Sequence, residues 1–179
     1  MEELGSNLRL KNKIGVLGGS FNPAHIGHLA ISKKAIQKYK LKKIIWAITL
    51  KNPLKKKNNT SISNIIKGCR KIIKTNNFIK IKFYEKIIES NKTIDLINHL
   101  KKTTNSEIYF LMGADNLINF HKWYKWKTLS KKCKIIVFDR HGYKKKSLNS
   151  ISYKRLNGKS LKFVKFNKVN ISSSQLRKI

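Results

Sequence analysis

The residues best suited to chemistry lie in one run, Gly18-Gly19-Ser20-Phe21-Asn22-Pro23-Ala24-His25-Ile26-Gly27-His28. A glycine pair directly after an apolar stretch lets the backbone turn sharply and approach a ligand closely. A helix predicted to start near Ala24 aims its first N–H groups at the same edge, which is the geometry of an anion site. His25 and His28 are three apart and share one face of the first turn. Gly27 between them leaves room for a bulky ligand. Two imidazoles above a glycine turn suit a bound polyphosphate, because an imidazolium or a donating N–H neutralises charge that builds on a phosphorus centre. The chain has five histidines; His99, His121 and His141 have no comparable context and read as structural or exposed. The run is neither a Walker A loop, since no Gly-Lys-Ser/Thr follows, nor the dinucleotide GxGxxG pattern.

Such a site needs a scaffold, and the apolar pattern predicts one. Residues 13–17 form a short apolar run that reads as a buried strand, as do 43–48, 107–112 and 134–138. Residues 79–83 alternate as a strand would, and 161–166 suit a last strand. Helical spacing covers 27–39, 62–73 and 93–102, the last with Thr93 placed as N-cap. Residues 116–129 read as helix in pieces, and 172–178 as the first turns of a final helix. Residues 51–61 form a Lys/Asn loop around Pro53. Strands alternating with helices imply an α/β fold, a Rossmann-like doubly wound parallel sheet. Strands apolar throughout fit helices on both faces. Ligands in such sheets bind beyond the C-terminal strand ends. Four segments would meet there: 18–28, 51–57, 113–116 and 139–142.

A length of 179 residues suits one domain, with residues 1–12 as a flexible leader. No apolar run approaches the length that crosses a bilayer. The acids Glu2 and Glu3 argue against a secretory signal. Cys69 and Cys133 lack CxxC spacing, so neither a disulfide framework nor a structural zinc site is expected, and the expected location is the cytoplasm. Lys and Arg total 41 against 8 acids, a net charge of +33. One reading of that charge is nucleic-acid binding. The other is compositional bias: only five of the basic residues are Arg, and Lys, Asn and Ile, the residues with A/T-rich codons, are all abundant. Arg is the residue that makes bidentate phosphate and base contacts, so its scarcity favours bias. Either way, small polyanions would be drawn to this surface.

His25-Ile26-Gly27-His28 resembles the (H/T)xGH signature of the nucleotidyltransferase superfamily. Within it, the chain resembles the bacterial nicotinate-nucleotide adenylyltransferases. The likeness runs from about Lys13 onward, through Thr93, the run from Tyr109 to Tyr124 (YFLMGADNLINFHKWY), the run from Ile135 to Tyr143 (IIVFDRHGY), and Ile171-Ser172-Ser173-Ser174-Gln175-Leu176-Arg177. The resemblance implies adenylyl transfer from ATP, accompanied by Mg²⁺, to nicotinate mononucleotide, giving nicotinate adenine dinucleotide and pyrophosphate in NAD synthesis.

The resemblance also implies roles by position. Gly18, Gly19, Ser20, Phe21 and Gly27 would lie on the ATP phosphates, with His25 and His28 as the catalytic pair. Gly113 and Asp115 would meet the adenosine side, and Arg140 would lie in the matching loop after the fifth strand. Ser173, Ser174 and Arg177 would grip the β- and γ-phosphates. Trp123 and Tyr124 would receive the nicotinate ring, Thr93 its carboxylate, and Lys55 and Lys56 the mononucleotide phosphate. No metal ligand is expected among the side chains. Plainer readings stand beside these: Trp123 and Tyr124 as core aromatics, Ser172, Ser173 and Ser174 as a helix cap, Lys55 and Lys56 as members of a Lys-rich loop. Asn22 stands where many relatives have Asp. Relatives usually continue past the serine motif, so a short last helix is expected here. The alternatives are an adenylyltransferase for nicotinamide mononucleotide or another phosphate acceptor, and a basic RNA-binding protein without catalysis.

Overall fold

In the computed structural model, residues 11–50 and 60–166 are described. Six strands form one parallel sheet: β1 (Lys13–Gly19), β2 (Lys43–Ile48), β3 (Ile79–Lys82), β4 (Glu107–Gly113), β5 (Lys134–Phe138) and β6 (Leu161–Val164), in the order β3-β2-β1-β4-β5-β6. The helices between them are α1 (Ile26–Tyr39), α2 (Ile62–Ile73), α3 (Thr93–Thr104), α4 (Ala114–Ile118), α5 (Trp126–Lys132), α6 (Lys144–Leu148) and α7 (Ile151–Leu156), with a 3₁₀ turn at Phe120–Lys122.

Each central strand buries both of its faces. Ile14 and Val16 of β1, Ile45 and Ala47 of β2, Ile108, Phe110 and Met112 of β4, and Ile135 and Val137 of β5 pack on one side with residues of α3, α4, α5 and α7. The alternate residues Leu17, Ile44, Trp46, Tyr109, Leu111, Ile136 and Phe138 pack on the other with Ala35 of α1 and Ile65 and Cys69 of α2. This period-two division explains why the strands read as unbroken apolar runs. Cys69 and Cys133 are buried free thiols in different core clusters. Burial pushes both up to about 12. Among the described residues, no helix is long and apolar enough to cross a membrane.

α1 closes at Tyr39 and α2 spans Ile62–Ile73 as the periodicity predicts, but the start of α3 departs from the sequence reading. Thr93 is the first helical residue of α3; Lys92 occupies the cap position and makes no side-chain cap bond. Several left-handed backbone positions are held by Lys or Asn: Lys40 after α1, Asn105 after α3 and Lys125 before α5. The short α6 and α7 were not foreseen; five and six residues give too little periodicity to read. The predicted leader lies largely, and the final helix wholly, outside the described residues.

The packing sets an expectation for stability. Leu111 is 0% exposed in a central strand, so Leu111→Ala should cost about 2–5 kcal/mol. Gly68 sits inside α2, where an added Cβ would meet nothing within 4 Å. Gly68→Ala should therefore gain about 0.5–1 kcal/mol. Urea denaturation of both variants checks the pair.

Candidate active site

The strand order reverses direction between β1 and β4, so the loops leaving these neighbours diverge and open a crevice at their C-terminal ends. The register brings specific side chains to that edge. Gly113 pairs with Phe138, and two residues beyond each lie Asp115 and Arg140, which form an ion pair. A Cβ on Gly113 would come within 2.5 Å of Asp115 Oδ1. The glycine therefore leaves the space in which this carboxylate sits.

The β1–α1 connection is built differently from expectation. Gly18 and Gly19 remain in the strand, paired with Ala47 and Ile48. The chain turns later, at Phe21, which has φ 45° and is 1% exposed, followed by the cis Asn22–Pro23 peptide. A Cβ on Gly18 would make ordinary contact with the Phe110 ring at 3.5 Å, and one on Gly19 with the Phe21 ring at 3.5 Å, so neither turning nor packing here demands a glycine. The helix begins at Ile26 with His25 as its cap, two residues after the predicted start at Ala24.

His25 and His28 cap this helix reciprocally. The Gly27 N–H donates to His25 Nδ1 at 3.2 Å, and the His25 N–H donates to His28 Nδ1 at 3.2 Å. The His28 N–H is taken by the His25 carbonyl at 3.0 Å. Two of the first three helix amides are thus occupied within the turn, and the imidazoles stand where open amides were predicted. Because each Nδ1 accepts a proton, each neutral ring carries its own proton on Nε2 as a donor. The rings lie close together and tilted, with centroids 3.9 Å apart and planes at 32°. His28 also packs on Phe21 and Trp46, at 4.8 and 5.8 Å between centroids. Its carbonyl accepts from Ser32 Oγ, which in turn accepts from the Trp46 indole N–H, both at 2.9 Å.

Burial, reinforced by the positive charge of Arg140, pushes His25 from its ordinary 6.5 down to about 4. This ties the β1–α1 turn electrostatically to the Asp115–Arg140 pair. Arg140, paired with Asp115, is thus near enough to His25 to disfavour its charged form. Trp123 is partly buried and packs edge-on against Phe110 and Phe120, while Tyr124 is exposed. Thr93 is partly exposed and follows Lys92, whose ammonium lies over the Tyr124 ring. Phe110 links the two regions, touching the space at Gly18 on one side and Trp123 on the other. Ser20 is partly buried in the turn. Lys55, Lys56, Ser173, Ser174 and Arg177 lie outside the described residues.

Sequence reasoning passed over Glu85 and Ser32, and marked Asn22 only as standing where many relatives have Asp. Glu85 accepts from the Thr49 hydroxyl and from the Leu50 N–H at 3.2 Å, and the Thr49 N–H donates to the Gly19 carbonyl at 2.9 Å. Asn22 Nδ2 donates to Thr60 Oγ1 at 2.8 Å. Ser32 joins Trp46 to the His28 carbonyl. The scarcity of acids was the one available signal for Glu85; nothing in the spacing marked Ser32.

A cytidylyltransferase-like family model matches residues 16–179, which defines the class as nucleotidyltransferase. A Pelagibacter ubique (strain HTCC1062) protein named "Probable nicotinate-nucleotide adenylyltransferase" is 63% identical over 169 residues, covering 94% of each chain. A protein of the same name from Agrobacterium fabrum is 34% identical over 131 residues, covering 72% of this chain and 70% of its own. The chain belongs to the nicotinate-nucleotide adenylyltransferase family. In fold it resembles the Plasmodium falciparum nicotinic acid mononucleotide adenylyltransferase complexed with NaAD, with a TM-score of 0.74 at 24% identity over 93% of this chain and 83% of that one.

Two outcomes follow from the geometry. Unfolded chains protonate His25 near 6.5 and the folded chain only near 4, so between these values the unfolded state binds more protons. The His25 contribution to stability is therefore intact above pH 6.5 and declines as the pH falls toward 4. His25→Asn, which can still cap the helix, should flatten that acid slope in denaturation at stepped pH. Gly113→Ala should cost about 1–3 kcal/mol, because the new methyl displaces a paired carboxylate; the urea midpoint reads it.

Proposed function

We propose that this enzyme transfers the adenylyl group of ATP to nicotinate mononucleotide, forming nicotinate adenine dinucleotide and pyrophosphate, in the cytoplasm. The observation that carries the reading is the reciprocal histidine pair at the head of α1, with Nε2 donors fixed by the cap, beside the Asp115–Arg140 pair.

An oxygen of the acceptor's 5′-phosphate attacks the α-phosphorus in line. One P–O bond forms as the bond from the α-phosphorus to the bridging oxygen breaks, and pyrophosphate leaves with the electron pair. Catalysis is positioning plus charge stabilisation. His28 Nε2–H donates to the α-phosphoryl oxygens as charge gathers there. His25 is neutral near pH 7 and acts as a second N–H donor. A neutral donor binds charge without having to be deprotonated or reprotonated during the reaction. The backbone from Gly18 to Phe21 lies along the phosphates; Arg140 adds positive charge and is oriented by Asp115 on the adenosine side. Ser173, Ser174 and Arg177 take the β- and γ-phosphates. Lys55 and Lys56 take the acceptor phosphate, and Trp123, Tyr124 and Thr93 its nicotinate group.

The family's chemistry brings a divalent cation with ATP, and Mg²⁺ is the proposed ion. Among the described residues, no group of three or more His, Cys, Asp or Glu could hold a metal. Mg²⁺ would arrive mainly on the triphosphate, where it would neutralise phosphate charge.

The test is release of pyrophosphate when the purified protein is mixed with ATP, Mg²⁺ and nicotinate mononucleotide. His28→Ala should lower kcat by about 10²–10³-fold while circular dichroism shows the fold retained. Wild-type turnover in that variant would remove His28 from the mechanism.

A further inference from the structure

The residue before α3 carries a cation that the reading above leaves unused. Lys92 Nζ stands 4.3 Å from the centroid of the Tyr124 ring, and Lys125 Nζ stands 5.3 Å from the same centroid. Tyr124 is 51% exposed. Among the described residues, neither ammonium forms an ion pair with a carboxylate. The acid in the first turn of α3, Asp95, is engaged by Ser90 Oγ at 2.7 Å, and Ser90 Oγ also receives the Lys92 N–H at 3.1 Å. Tyr124 thus offers a solvent-facing ring that already holds a cation, next to Thr93.

A pyridinium nucleotide brings a further cation, this one flat, to that ring. Its stacking on Tyr124 competes with the Lys92 ammonium for the same electron-rich face. The displaced ammonium loses an interaction, and what it regains depends on the substituent of the incoming ring. A carboxylate offers it a full opposite charge. A carboxamide offers only a neutral oxygen. Ring stacking is similar for the two acceptors, so the difference between them falls on the lysine.

We propose that Lys92 is a specificity-determining residue: it cedes the Tyr124 face to the acceptor's pyridinium and pairs with the carboxylate, so that the acid is chosen over the amide. This inference rests on the acceptor reading of Trp123, Tyr124 and Thr93 given above.

The experiment measures kcat/KM for nicotinate mononucleotide and for nicotinamide mononucleotide in the wild type, Lys92→Met and Lys92→Arg. Lys92→Met should cut the preference for the acid about tenfold, through a higher KM for the nicotinate acceptor, with kcat and the KM for ATP nearly unchanged. Lys92→Arg should keep most of the preference. Added potassium chloride should narrow the wild-type preference and leave that of Lys92→Met unmoved. An equal fall for both acceptors, or an unchanged ratio in Lys92→Met, overturns the role of Lys92 and leaves the acceptor reading standing. A wild-type protein that releases no pyrophosphate with nicotinate mononucleotide overturns the acceptor reading and this inference together.

Discussion

The arrangement of the site depends on one constraint: β1 is hydrogen-bonded on both sides, to β2 and to β4. A strand so held cannot shift its register without moving every side chain to the opposite face. The points where β1 and β4 end are thereby set, and with them the origins of the β1–α1 turn and of the turn that carries Asp115. The register of β4 on β5 then places Arg140 against Asp115. Little of the site is held by long-range charge pairing. Among the described residues, two ion pairs are seen, Arg140–Asp115 and Lys134–Glu107. In a chain with 8 acids, backbone register supplies the order that ion-pair networks supply elsewhere.

Tying the two halves of the cleft together falls to aromatic packing. Phe110 reaches from beneath Gly18 to the edge of Trp123, so the phosphate side and the aromatic side rest on one ring. Trp46 performs a similar service on the opposite face, stacked on Phe21 at 4.9 Å and bonded through Ser32 to α1. The aromatics that looked interchangeable with core filler are indeed partly that: Trp123 is partly buried and packs against the core cluster, whereas its neighbour Tyr124 lies outside it and faces solvent.

The strands were legible because burial on two faces writes itself as a continuous apolar run; β2 and β5 fall where the runs do. Helix starts were less legible. Caps are recognised by Ser, Thr, Asp or Asn, so Thr93 drew the boundary one residue late, and a histidine cap at His25 could not be recognised by type. Helix stops were legible from apolar periodicity alone, which closed α1 at Tyr39 and α2 at Ile73, although Lys40 and Asn105 hold the left-handed conformation where a glycine would have announced the stop; α3 runs two residues past the expected end, to Thr104. At the site, the i, i+3 spacing of His25 and His28 was readable. That both rings would be consumed at Nδ1 by the helix itself was not, since it depends on the angle at which the chain enters the helix. The turn was assigned to the glycine pair because glycine is the residue that tolerates positive φ, yet Phe21 adopts it, held by its stacking on Trp46.

The double duty of the two imidazoles limits what else could stand at those positions. Each ring accepts a backbone proton at one nitrogen and keeps a donor at the other. An ammonium group has three donors and no acceptor, and a guanidinium likewise has none. This chain has filled its surface, and even its left-handed turns, with lysine. At positions 25 and 28 that exchange would supply charge yet strip the helix of its opening, so the chemistry of proton acceptance marks a boundary that compositional pressure cannot cross without dismantling the turn.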